Sequence, residues 1–115
     1  MSSREHISHE EYVVKQRGGA RLVAKRGLSG EVSAVQGARL IVCLGGLELP
    51  EGDEDLRALR LVDSETDHLP LADERQHWAP PALAEKADKL ARAERWAREV
   101  ALTAFKNLAE RWDAI

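Results

Sequence analysis

From Ala82 to Trp112 the sequence runs for 31 residues without a glycine or a proline. Ala, Leu, Glu, Lys and Arg dominate this run, and all are good helix formers. Pro80-Pro81 pre-sets the start of a helix. Placing each residue about 100° from the last gathers Leu83, Leu90, Ala97, Ala101, Phe105, Leu108 and Trp112 into one sector. Trp96, Val100 and Ala104 widen that sector on one side and Leu102 on the other. Glu94 and Arg98, four apart on the same side, are spaced to pair. At about 1.5 Å per residue the run is a rod of roughly 46 Å. A head of about 45 residues is only some 20–25 Å across, so it cannot shelter the whole apolar face. Either the helix breaks near Val100–Thr103, where β-branched residues weaken it, or a second chain covers the excess. The second outcome is favoured. It predicts a homodimer held through Leu90, Trp96, Ala97, Ala101, Phe105, Leu108 and Trp112, with the alanines at 93, 97, 101 and 104 allowing close approach.

The rest of the chain carries mixed signals. Ser8 followed by Glu11 matches a capping box, and Gly18 is placed to stop a short helix over residues 9–17. Tyr12, Val13 and Val14 oppose that helix, because they prefer strand. From Ala20 the pattern reads as β. ARLVAK alternates, with Leu22 and Ala24 on one face. RGLSG is a turn, GEVSAVQG a second strand, and Gln36-Gly37 a hairpin turn. ARLIVCLGG is apolar on both faces, as a covered central strand would be. Gly27, Gly30, Gly37, Gly45 and Gly46 are expected where short strands reverse. Asp53 caps a single helical turn through Leu56 and Leu59, and Arg60-Leu61-Val62 closes the sheet.

The pattern G-x-x-G-x-V-x-x-V-x-G over Gly27–Gly37, a Leu-Ile-Val strand and a closing Leu-Arg-Leu-Val resemble the KOW-type members of the SH3-like small barrels. The resemblance covers roughly residues 20–63. It implies a small barrel that binds RNA, DNA or protein.

The expected class is therefore α+β, a small antiparallel β-barrel or curled sheet followed by a long C-terminal amphipathic helix. The expected divisions are an N-terminal arm (1–19), the barrel (20–63), an acidic Pro-containing connector (64–81) and the helix (82–113).

Charge is unevenly spread over a chain of net charge −3. Residues 1–47 hold seven Lys/Arg against four Asp/Glu, and residues 48–78 hold three against ten. That acidic middle opposes wholesale wrapping of nucleic acid. The basic residues Lys15, Arg17, Arg21, Lys25 and Arg26 are the candidates for contact with a phosphate backbone or an acidic partner. One cysteine excludes an intrachain disulfide and suits a reducing compartment. The longest apolar run, Leu40–Leu44, falls far short of the roughly 20 residues that span a bilayer. The N-terminus is too polar for a signal peptide. A cytoplasmic protein without membrane contact is expected.

No arrangement for catalysis stands out. Neither G-x-x-x-x-G-K-[ST] nor G-x-G-x-x-G occurs. His6 and His9 are spaced for a metal but sit terminally, with His68 and His77 far off in the connector. Cys43, inside LIVCL, reads as a buried hydrophobe. Glu51, Asp53, Glu54 and Asp55 read as a solvated acidic loop, and Trp78, Trp96 and Trp112 as core or interface anchors. Neither a metal nor a cofactor is expected. The function that follows is a non-catalytic binding or regulatory adaptor, associating through the C-terminal helix and engaging a macromolecular partner. The alternative is a nucleic-acid-binding module of KOW type.

Overall fold

The computed structural model describes residues 8–69 and 80–112, apart from the side chains of Ala82 and Leu83. Among these residues the chain forms a bundle of four helices: α1 His9–Ser29, α2 Ala34–Cys43, α3 Glu54–Thr66 and α4 Pro80–Arg111. No strand occurs among the described residues. The expected barrel, the α+β class and the KOW resemblance are all overturned.

The reason lies in periodicity. In α1 the Ser8 hydroxyl accepts from the Glu11 amide at 3.1 Å, as a capping residue should. The helix does not stop at Gly18. It runs on to Gly30, which takes the left-handed conformation at φ 83°. Val13, Ala20, Ala24 and Gly27 are buried, at spacings of a helix face. Leu22, assigned above to one strand face with Ala24, is 49% exposed while Ala24 is fully buried. The two lie on opposite sides of a helix rather than on one side of a strand.

The same holds for α2. Ser33 caps it by accepting from the Gln36 amide. Ala34, Ala38 and Ile41 face the core, whereas Leu40 and Cys43 are exposed. The short apolar run LIVCL fits either period, and its flanks decide for 3.6. Cys43 is thus not the buried hydrophobe that was expected. In α3, Asp53 caps by accepting from the Leu56 amide at 3.0 Å. The helix continues well past the single expected turn, burying Leu59, Val62 and Thr66 where a closing strand was expected.

Phe105 of α4 fixes how the helices meet. Its ring is 1% exposed. A Cβ built on Gly27 would lie 2.7 Å from its Cε2, and one on Gly37 would lie 2.9 Å from its Cζ. Both glycines occupy helix positions where the ring fills the space of a missing side chain. They are packing glycines rather than hairpin turns. Around Phe105 the core consists largely of alanines (20, 24, 34, 38, 97, 101 and 104) with Ile41, Leu59, Val62 and Leu108. Small side chains permit this close packing of helices.

α4 is the spine. It is continuous over 32 residues, so the less favoured alternative, a break near Val100–Thr103, does not occur. α1 packs along it in the opposite direction. Arg98 meets the C-terminus of α1, while Arg17 lies over the Trp112 ring. α3 is also antiparallel to it, with Asp55 at Arg111 and Leu69 in a groove with Ala93 and Trp96. A 32-residue helix is about 48 Å long, and the molecule measures 52 × 35 × 24 Å. Its radius of gyration of 16.0 Å exceeds the roughly 13 Å of a compact chain of this size. No helix of the described residues is long and apolar enough to cross a membrane.

Candidate functional site

Three features of α4 decide which surfaces are committed to the fold and which are open. The first is a pair of charges spent on helix ends. Glu94 accepts from the Ala34 amide at 2.8 Å and the Val35 amide at 3.1 Å, at the positive end of α2. Arg98 donates to the Gly27 and Leu28 carbonyls, both at 3.1 Å, at the negative end of α1. Charged side chains of these signs complement the partial charges of those ends. Their i, i+4 spacing suggested an ion pair within one helix. Instead, each satisfies backbone groups that the helices leave unpaired.

The second is a charge cluster at the other end. Asp55, 7% exposed, accepts from Arg111 at 2.7 Å and from Asn107 at 2.9 Å. Arg111 also reaches Asp53 at 3.0 Å. Two of the four acids expected in a solvated loop therefore pin α3 to α4. The connector from α2 to α3 is held by α1. Arg17 Nε donates to the Leu47 carbonyl at 2.9 Å, and Gln16 donates to the Gly45 carbonyl at the same distance. His9 contacts Glu48.

These commitments change the status of the candidate residues. Of the five basic ones, Arg17 serves the fold and stacks over Trp112 at 5.6 Å. Arg26 pairs with Glu31 at 3.0 Å. Arg21 is half-buried and engaged in a contact, which leaves Lys15 and Lys25 exposed on α1. Among the interface candidates, Ala97, Ala101, Phe105, Leu108 and Trp112 are buried in the chain's own core. Ala104 is buried too, and Ala93 is half-buried. Leu90 and Trp96 are half-buried at the edge of the core. His6, His77 and Trp78 lie outside the described residues, as does the side chain of Leu83.

The third feature is what stays open. Ala84, Glu85, Ala87, Asp88, Lys89, Ala91 and Arg92 of α4 are all exposed. They precede Glu94 and Arg98, where the ends of α2 and α1 meet the spine. Alongside, the seam between α3 and α4 forms two consecutive grooves. One, of about 600 Å³, is lined by Glu54, Arg57, Ala58, Arg60, Leu61, Ser64 and Val100. The next, of about 510 Å³, is lined by Glu65, Thr66, His68, Leu69, Lys89, Arg92, Ala93 and Trp96. The sequence hinted at this seam only through the sector edge at Trp96 and Val100. The cations beside it lie on two helices far apart in sequence and formed no recognisable run.

Among the described residues, no group of three or more His, Cys, Asp or Glu is placed to hold a metal ion. The described residues form an all-helical bundle with one over-long member. No family model matches the chain, and no curated protein or solved structure is significantly similar to it.

Proposed function

We propose that this chain is a non-catalytic adaptor that pairs with a second copy through the first half of α4 and engages a macromolecular partner. The observation that carries this reading is the exposure of Ala84, Ala87 and Ala91, with Glu85, Asp88, Lys89 and Arg92 around them, in a helix that continues beyond the contacts at Glu94 and Arg98. A helix isolated in water is marginal at such lengths. Here it is propagated from a packed half and supported by charges spaced for pairing, Glu85 with Lys89 and Asp88 with Arg92. Ala84, Ala87 and Ala91 lie on one side of it and would let a second helix approach closely.

Such a contact is small. Stable protein interfaces bury about 1,200–2,000 Å², and a partner along about two and a half turns of alanine-rich helix buries less. The pairing is therefore weak and reversible, as suits a regulatory adaptor. Sedimentation velocity over a concentration series tests it. The mass rises above that of the 12.8 kDa monomer at about 100 µM, a concentration suited to weak interfaces. Ala87→Glu with Ala91→Glu returns it to monomer without loss of helicity. A wild-type chain that stays monomeric throughout refutes the pairing.

A further inference from the structure

The seam between α3 and α4 combines two properties that rarely coincide by chance on an acidic protein. Its floor is apolar: Ala58 and Leu61 from α3, Ala93, Trp96 and Val100 from α4. Leu61 is 47% exposed, a large aliphatic surface left in water. Each groove carries a pair of cations, Arg57 and Arg60 from α3 in the first, Lys89 and Arg92 from α4 in the second. All four are exposed, and none makes a salt bridge among the described residues. Arg92 has only a long contact, 3.4 Å, to the Asp88 carbonyl. Among the described residues, the acids lining the two grooves are Glu54 in the first and Glu65 in the second, with His68 beside Glu65. This positive strip lies on a chain whose net charge is −3. The other buried or half-buried charges described above are spent on the fold, and these are not.

We infer that this seam docks an acidic amphipathic helix of a partner protein, its leucine-type face on the floor and its carboxylates at the cation pair of each groove. This deepens the adaptor reading, on which it rests, by naming the surface that engages the partner. An apolar floor selects a helix with apolar residues at i, i+3 or i+4, and i+7. The cation pairs select its sign and speed its arrival. A nucleic acid would leave Leu61 and Val100 without apolar contact, and the seam has one aromatic residue, Trp96, on which a base could stack.

The test uses the full chain and a fluorescein-labelled amphipathic peptide with leucines on one face and glutamates on its flanks. A twin peptide replaces every glutamate with lysine. Binding is read by anisotropy, and the site by amide shifts in two-dimensional NMR. The expected result is binding of the acidic peptide, with shifts concentrated at Ala58, Leu61, Ala93 and Val100. The lysine twin binds at least about tenfold more weakly. Arg57→Glu with Arg60→Glu weakens the acidic peptide about tenfold, two charge reversals at roughly 0.7 kcal/mol each. That double variant keeps its wild-type melting temperature and its self-association by sedimentation, so a failure here is distinct from a failure of pairing through α4. The inference is overturned if the acidic peptide does not bind, if both peptides bind equally, or if the shifts map elsewhere. It is also overturned if an oligothymidine displaces the peptide from these residues, which makes the seam a nucleic-acid site. Shifts at the seam that follow protein concentration alone would make its occupant a second copy.

Discussion

Replacing Gly27 with alanine opposes two effects of known size. Alanine in place of glycine inside a helix is worth about 0.8–1 kcal/mol. At Gly27 the new methyl would sit 2.7 and 2.8 Å from Phe105 Cε2 and Cδ2, where carbon atoms prefer about 3.5–4.0 Å. The ring cannot simply withdraw, because it is buried to 1% and its opposite edge lies against Gly37. Overpacking of this kind costs about 1–3 kcal/mol, and two close atoms on a locked ring place it in the upper half of that range. The net expectation is a loss of about 1–2 kcal/mol, or a melting temperature lower by about 4–8 °C for a chain of this size. Gly19 provides the control within the same helix. A methyl there meets only Leu44 Cδ1 at 3.9 Å, an ordinary contact. Gly19→Ala should therefore gain about 0.5–1 kcal/mol. Urea unfolding followed by far-UV circular dichroism separates the two signs, with an unchanged slope excluding an altered unfolded state. Phe105→Leu should cost less in the Gly27→Ala background than alone, by at least about 0.5 kcal/mol, as expected of residues in contact. If Gly27→Ala stabilises as much as Gly19→Ala does, Phe105 is not lodged between α1 and α2 and the account of the core is wrong.

Further outcomes follow from the commitments of α4. Glu94→Ala leaves the first amides of α2 without their acceptor and should cost about 1–3 kcal/mol; hydrogen exchange should rise first at Ala34 and Val35, and an unchanged rate there would refute the capping role. Asp55→Ala leaves Asn107 without its acceptor and Arg111 with Asp53 alone, and should cost about 1–2 kcal/mol in urea unfolding, whereas Glu51→Ala, on the exposed connector, should stay within about 0.5 kcal/mol. Arg17→Ala releases the connector at Leu47, and proteolysis between α2 and α3 should accelerate while Arg17→Lys, lacking the planar group over Trp112, rescues it only in part.

The long helix was legible because it needs only local information: helix formers without interruption, and one apolar sector. The Ser8 cap was legible for the same reason. The extent of α1 was not. Gly18-Gly19 carries a real propensity cost, but Ala20, Ala24 and Gly27 repay it through contacts with residues some 70 or more positions away, and that term is absent from any local pattern. Gly27 and Gly37 misled most. A glycine that admits a strand turn and a glycine that admits an aromatic ring look the same until Phe105 is placed beside them. Likewise, the spacing of Glu94 and Arg98 was read correctly as lying on the apolar side, yet it could not reveal that two helix ends stood opposite. The seam between α3 and α4 was hidden because Arg57, Arg60, Lys89 and Arg92 converge only after folding, and because α3 was cut short at one turn.

The most direct measurement is an intermolecular distance on the exposed half of the spine. With Cys43→Ser in place, a nitroxide on Glu85→Cys, exposed and off the face formed by Ala84, Ala87 and Ala91, is measured by pulsed electron paramagnetic resonance at high protein concentration. Helices that pack together lie about 8–10 Å apart, so the account predicts a discrete distance between chains of about 20–30 Å once the labels' reach is added, lost on adding Ala87→Glu. A featureless decay with no distance between chains would contradict it.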